Sequence, residues 1–139
     1  EKPLVAFAVD TTLAGDTPAN QNHTKLGKGV SLTAIDNMTV TNRGLLIYLE
    51  NLCKKHQIPY QIGCFTKGGT DAGNIYKSET GILATTLSIP IRYMHTHQSI
   101  LHLGDVEATL RLMCAICEDL TMEKYHQIVE YNYQYGMEE

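Results

Sequence analysis

The chain has 139 residues, a length suited to one domain of ordinary size. Hydrophobic residues make up 43% and charged residues 19%, enough apolar content for a core, which excludes the intrinsically disordered class. A formal charge of −4 argues against nucleic acid as a main partner, because phosphate binding needs a basic surface. No apolar run reaches the roughly 18 residues that a membrane helix needs.

The chain opens Glu1-Lys2-Pro3, without an initiator Met or a signal peptide. Residues 4–9 are a continuous apolar run closed by Asp10-Thr11-Thr12. This pattern predicts a strand buried on both faces in the middle of an α/β sheet. A chain that starts so close to such a strand is expected to be a piece of something longer. Residues 13–29 form a polar loop, and 30–35 alternate apolar and polar residues as a strand does. Thr41 or Asn42 then caps a helix whose apolar positions are Leu45, Leu46, Leu49, Leu52 and Cys53. It ends near Lys54-Lys55-His56, where the helix dipole favours cations.

Pro59 opens a strand over 60–65, followed by the glycine-rich turn Lys67-Gly68-Gly69-Thr70-Asp71-Ala72-Gly73 and a short helix near 74–77. A further strand over 82–89 is stopped by Pro90. Residues 99–103 are extended, 105–120 form a helix, and 121–133 continue as a helical tail. Strands alternating with helices predict an α/β fold, with helices covering a mixed or parallel sheet.

Of the four cysteines, Cys114 and Cys117 have redox-motif spacing. They sit mid-helix on the apolar stripe Val106, Leu110, Met113, Cys117, Leu120. A thioredoxin-type pair belongs at a helix start, where the N-terminus depresses a thiol pKa. Ordinary buried thiols are therefore expected, and that usage suits a reducing cytoplasm.

Open α/β sheets bind ligands at the carboxyl ends of their strands. Three polar clusters are expected there: Asp10, then Gly69-Thr70-Asp71, then Arg92-Tyr93-Met94-His95. Asp and His are hard-to-borderline donors suited to zinc, cobalt or manganese. By residue type alone an Asp after a strand is commonly a turn or cap residue, and a lone His is usually structural.

The words Ala8-Val9-Asp10-Thr11-Thr12-Leu13-Ala14-Gly15-Asp16-Thr17-Pro18, Gly27-Lys28-Gly29, Gly68-Gly69-Thr70-Asp71-Ala72 and Ile89-Pro90-Ile91-Arg92-Tyr93-Met94-His95 stand in one order. Together they resemble the C-terminal half of the M42 family of metallo-aminopeptidases, the glutamyl and tetrahedral aminopeptidase type, over roughly residues 4–120. The resemblance implies a three-layer α/β/α sandwich of the zinc-peptidase kind, with residues 1–139 as the C-terminal portion of a single catalytic domain. It implies a pair of divalent metals, zinc or cobalt, with Asp10 a ligand of one and His95 a ligand of the other. Gly69, Thr70, Asp71, Arg92 and Tyr93 would support the site and the substrate pocket. The enzyme would remove N-terminal residues from peptide substrates by attack of a metal-bridging hydroxide. It would be a cytoplasmic homo-oligomer, dodecameric in form, with no nucleic acid and no membrane as partner.

Departures from the family pattern matter more than the matches. The family's remaining ligands and its general-base Glu lie in His-x-Asp and Glu-Glu words upstream of residue 4. Here the only Glu-Glu is Glu138-Glu139, at the C-terminus. With two of about five ligands and no base, this chain alone is expected to be inactive. His95-Thr96-His97 replaces the family's His-Ser-Pro, and His97 is either a surface or hydrogen-bonded histidine, the favoured reading, or a residue that supports or joins the metal ligands. Lys25, Lys28 and Lys67 are either solvated loop lysines, the commoner case, or draw an acidic substrate side chain. Two other readings compete: a non-catalytic oligomerisation module of the same fold, and a glycoside hydrolase using Asp10 and Asp71. The second lacks a tryptophan sugar platform, since the chain has none.

Overall fold

The computed structural model describes residues 3–18, 22–65, 68–78 and 81–135. In chain order the elements are β1 (Val5–Leu13), β2 (Val30–Ile35), α1 (Arg43–Lys55), β3 (Tyr60–Cys64), α2 (Asp71–Tyr76), β4 (Leu83–Arg92), β5 (Ile100–Leu101), α3 (Leu103–Asp119) and α4 (Met122–Tyr135). The strands make one mixed sheet of order β1-β4-β2-β3, with β5 also on β4. β1 runs parallel to β4 and β2 parallel to β3, while β2 and β5 are antiparallel to β4.

The alternation of side chains across the pleat sorts the sheet into two unlike faces. Phe7, Val30, Leu32, Ile62 and Leu87 face the core, where they meet Leu49, Leu52 and Cys53 of α1 and Ala108, Leu112, Ala115 and Ile116 of α3. Their strand neighbours Asp10, Ser31, Thr33, Thr86 and Ser88 face the other way, a surface of short polar side chains. α2 lies on that side, with the hydroxyls of Thr70 and Thr86 hydrogen-bonded. Helices thus flank both faces of a mixed sheet, in the expected α/β/α order.

α1 forms where its cap and spacing place it: the Asn42 side chain accepts from the Leu45 N–H at 3.0 Å. α4 packs on α1 at Gly44, where a Cβ would collide with the Ile128 carbonyl.

Four expectations need correction. β1 is the end strand of the order among the described residues, and it is half-buried rather than buried on both faces, with Val9 46% exposed. It also continues through Asp10-Thr11-Thr12 to Leu13, because the parallel ladder from β4 pairs each of these residues with Ser88, Ile89, Pro90 and Ile91. Pro90 does not stop β4. The Ile91 carbonyl accepts from Ala14 on the β1 side, so Pro90 turns its nitrogen to the opposite side. That side lies between the end of the β2 pairing at Ser88 and the start of β5 pairing at Ile91, where a missing N–H costs no ladder bond. α2 starts at Asp71, three residues before the expected helix.

The fourth correction concerns α3. Its buried stripe is Asp105, Ala108, Thr109, Leu112, Ala115 and Ile116, one step round the helix from the predicted one. Leu110 and Met113 are 59% and 38% exposed, and Cys114 and Cys117 are exposed free thiols.

Candidate active site

The polar face of the sheet is the floor of an open cleft of about 560 Å³. Thr33 and Ser88 lie in it, their hydroxyls 3.4 Å apart. Asp10 lines the cleft from β1, with Oδ1 accepting the Thr11 N–H at 2.7 Å. It lies within the strand rather than beyond its end, for the pairing reason given above. His95 lines the same cleft from the turn after β4.

That turn has an uncommon backbone. Tyr93 and His95 hold φ of 60° and 61°, the left-handed region that non-glycine residues enter only where the surroundings enforce it. The Thr96 and Ser99 hydroxyls close the turn by donating to the Tyr93 carbonyl at 2.7 and 3.3 Å. The Thr11 hydroxyl reaches the Met94 sulfur at 4.0 Å, joining the neighbour of Asp10 to the neighbour of His95.

Of the other expected site residues, Gly69 and Thr70 line the cleft and Asp71, Arg92 and Tyr93 do not. Asp71 is the first residue of α2 and is exposed, so the structure does not bring it to Asp10 as a pair of cleft carboxylates. Tyr93 is exposed beside the turn. Arg92 pairs with Asp16, Nε to Oδ1 at 2.8 Å. This guanidinium holds the Asp16 carboxyl below the usual carboxylate range, against the opposing pull of burial. His97 is exposed and outside the cleft, as are Lys25 and Lys28. Lys67 lies outside the described residues.

Two lining residues were missed in the sequence. Asp36 is buried, and its Oδ1 accepts the N–H groups of Met38 and Thr39, both at 2.7 Å. Its only signal was an Asp after an alternating strand, which reads as a turn residue. Cys64 ends β3 with an exposed thiol at the cleft.

Asp10 and His95 give the cleft one carboxylate and one imidazole, donors suited to zinc or cobalt. Among the described residues no group of three or more His, Cys, Asp and Glu side chains is arranged to hold a metal ion. A zinc site takes three or four protein ligands. The described residues therefore do not complete a metal site by themselves.

Fold and cleft define an open α/β domain with a polar site on one sheet face. The chain matches the M42 glutamyl aminopeptidase family over residues 1–112, and it belongs to that family. Among relatives, the glutamyl aminopeptidase of Lactococcus lactis is 32% identical over 129 residues, covering 93% of this chain and 36% of the relative. Among solved structures, a TET aminopeptidase from a marine-sediment archaeon of the Thaumarchaeota superposes with a TM-score of 0.86 at 34% identity, covering 91% of this chain and 36% of that one. The TET1 peptidase of Pyrococcus horikoshii, which can assemble into a tetrahedron or a large octahedral shell, gives 0.72 at 32% identity over 86% of this chain and 34% of that one. The chain thus spans about a third of the length of the proteins it matches. Among the described residues, no helix is long and apolar enough to cross a membrane.

Proposed function

We propose that this chain is the C-terminal portion of the catalytic domain of a metal-dependent aminopeptidase, which removes N-terminal residues from peptides. The observation that carries this reading is the meeting of Asp10 and His95, far apart in sequence, on one cleft. Asp10 supplies negative charge toward a divalent cation and His95 a neutral donor. Two such ions, zinc or cobalt, would be shared with ligands from the preceding part of a longer protein, where the general-base Glu also belongs. When bound, they would polarise the scissile carbonyl and activate water. This chain's own residues hold the two donors in place and shape the cleft floor with the small hydroxyls of Thr33 and Ser88.

The enzyme would work in the cytoplasm as a symmetric homo-oligomer. The resolved dodecamer of the structural relative TET1 supports that expectation. The glycoside hydrolase reading paired Asp10 with Asp71, and Asp71 is outside the cleft.

In the full-length enzyme that contains this chain, Asp10→Asn and His95→Ala should each abolish release of p-nitroaniline from amino-acid p-nitroanilides while circular dichroism stays unchanged. Full activity in either variant overturns the assignment. The 139-residue chain alone should release none, and zinc titration by calorimetry should show at most weak binding. Tight binding of two ions per chain would refute the shared-ligand reading.

A further inference from the structure

The parallel ladder between β1 and β4 carries Asp10 but does not reach His95. It ends with Leu13 opposite Ile91, followed by one bond from the Ala14 N–H to the Ile91 carbonyl at 2.8 Å. Beyond it, the Thr96 and Ser99 bonds fix the shape of the left-handed turn but not its placement over β1. Its two ends are held together by the β4–β5 pairing of Arg92 with Ile100, and among the described residues two side-chain ties join it to β1 and the segment that follows β1. One is the Thr11–Met94 contact, a weak hydroxyl–sulfur approach at 4.0 Å. The other is the charge-assisted bond between Arg92, the last residue of β4, and Asp16, which follows the end of β1. Both side chains of that pair are partly shielded from water, at 34% and 17% exposure. The Asp16 carboxylate is itself held, because its Oδ2 accepts the Leu26 N–H at 3.2 Å.

We propose that Asp16 is a positioning residue for His95, acting through Arg92: its carboxylate anchors the guanidinium at the end of β4, so that the left-handed turn presents the imidazole across the cleft from Asp10. The proposal rests on the reading of Asp10 and His95 as parts of one centre. Arg92 thereby has a task other than lining a substrate pocket, and the Gly15-Asp16 word gains a function through geometry.

The test has two arms. In the full-length enzyme labelled with 13C-histidine, Asp16→Asn should shift the ring resonance of His95 and leave those of the remote His56 and His126 in place. Asp16→Glu should return it toward the starting position. In the full-length enzyme, Asp16→Asn should lower kcat about 10- to 100-fold, the size of a misplaced catalytic group, with KM little changed and partial recovery in Asp16→Glu. If Asp16→Asn does not fold, Arg92→Gln carries the same measurements. An unmoved His95 resonance overturns the proposal, as does movement of all the histidines together. If the unmodified enzyme hydrolyses no p-nitroanilide, the aminopeptidase reading falls, and the resonance arm still decides the role of Asp16.

Discussion

The Asp105 carboxylate accepts the backbone N–H of Gly27 through Oδ2 at 2.8 Å and that of Gly29 through Oδ1 at 2.7 Å. One side chain in the first turn of α3 thereby fastens the helix to the loop that feeds β2. The loop can make this approach because Gly29 holds φ of 89° and any Cβ there would collide with the Pro59 carbonyl. Asp105→Ala strips the acceptor from two amides and should cost about 3 kcal/mol, the range for losing hydrogen bonds to a charged group. Asp105→Asn keeps one acceptor and should cost about half as much. Urea unfolding measures both, and a loss under about 1 kcal/mol in the alanine variant would mean that water replaces the carboxylate.

At Gly44 the ordinary rule for helices reverses. Replacing a helical glycine by alanine usually stabilises by about 1 kcal/mol. Here the new methyl meets the Ile128 carbonyl of α4, a backbone atom that cannot swing aside. Gly44→Ala should therefore destabilise by about 2 kcal/mol, the usual size of an overpacking cost, and hydrogen exchange in α4 should quicken. An unchanged or raised unfolding midpoint would mean that α4 does not seat on this residue.

The four thiols divide by burial. Cys53 sits in the core, and burial, with the Glu50 charge adding to it, pushes its thiol up to about 12. Because the folded value lies above the unfolded one, the protonated thiol favours the native state below about pH 9, and that contribution is lost as pH rises toward 12. Cys64, Cys114 and Cys117 are exposed. At pH 8, Ellman's reagent should titrate those three quickly and Cys53 only on unfolding in urea. A fourth fast equivalent in the native protein would contradict the burial of Cys53.

Where local signals agreed with tertiary demands, the sequence was legible. α1 was readable from Asn42 and the Leu45–Leu49–Leu52 spacing, because its cap and its apolar stripe name the same helix. The length of β1 was not, because Asp10-Thr11-Thr12 reads locally as a turn and only pairing with the distant β4 makes it strand. α3 has apolar residues on two stripes. The stripe that faces the core includes Asp105 and Thr109, polar residues whose partners, Gly27, Gly29 and a helix carbonyl, could not be known beforehand. The same reason hid Asp16 and Asp36, whose places at the site depend on long-range or turn hydrogen bonds. Asp10 and His95 were visible through the words around them, and the fold adds that they share a cleft.

That shared cleft separates the two histidines of His95-Thr96-His97. His95 faces the cleft, and His97, two residues further along a turn tied down by the Thr96 hydroxyl, is exposed and outside it. In the full-length enzyme His97→Ala should leave kcat/KM within about twofold, as surface substitutions away from such features do. His95→Ala should remove activity and also lower the metal retained after dialysis, read by mass spectrometry, since one donor of the centre is gone. Equal losses of metal in both variants would place His97 at the centre and show that the turn reorganises when the metal is bound. Retained metal and retained rate in His95→Ala would instead remove His95 from it, leaving the left-handed turn as a structural feature of the β4–β5 connection.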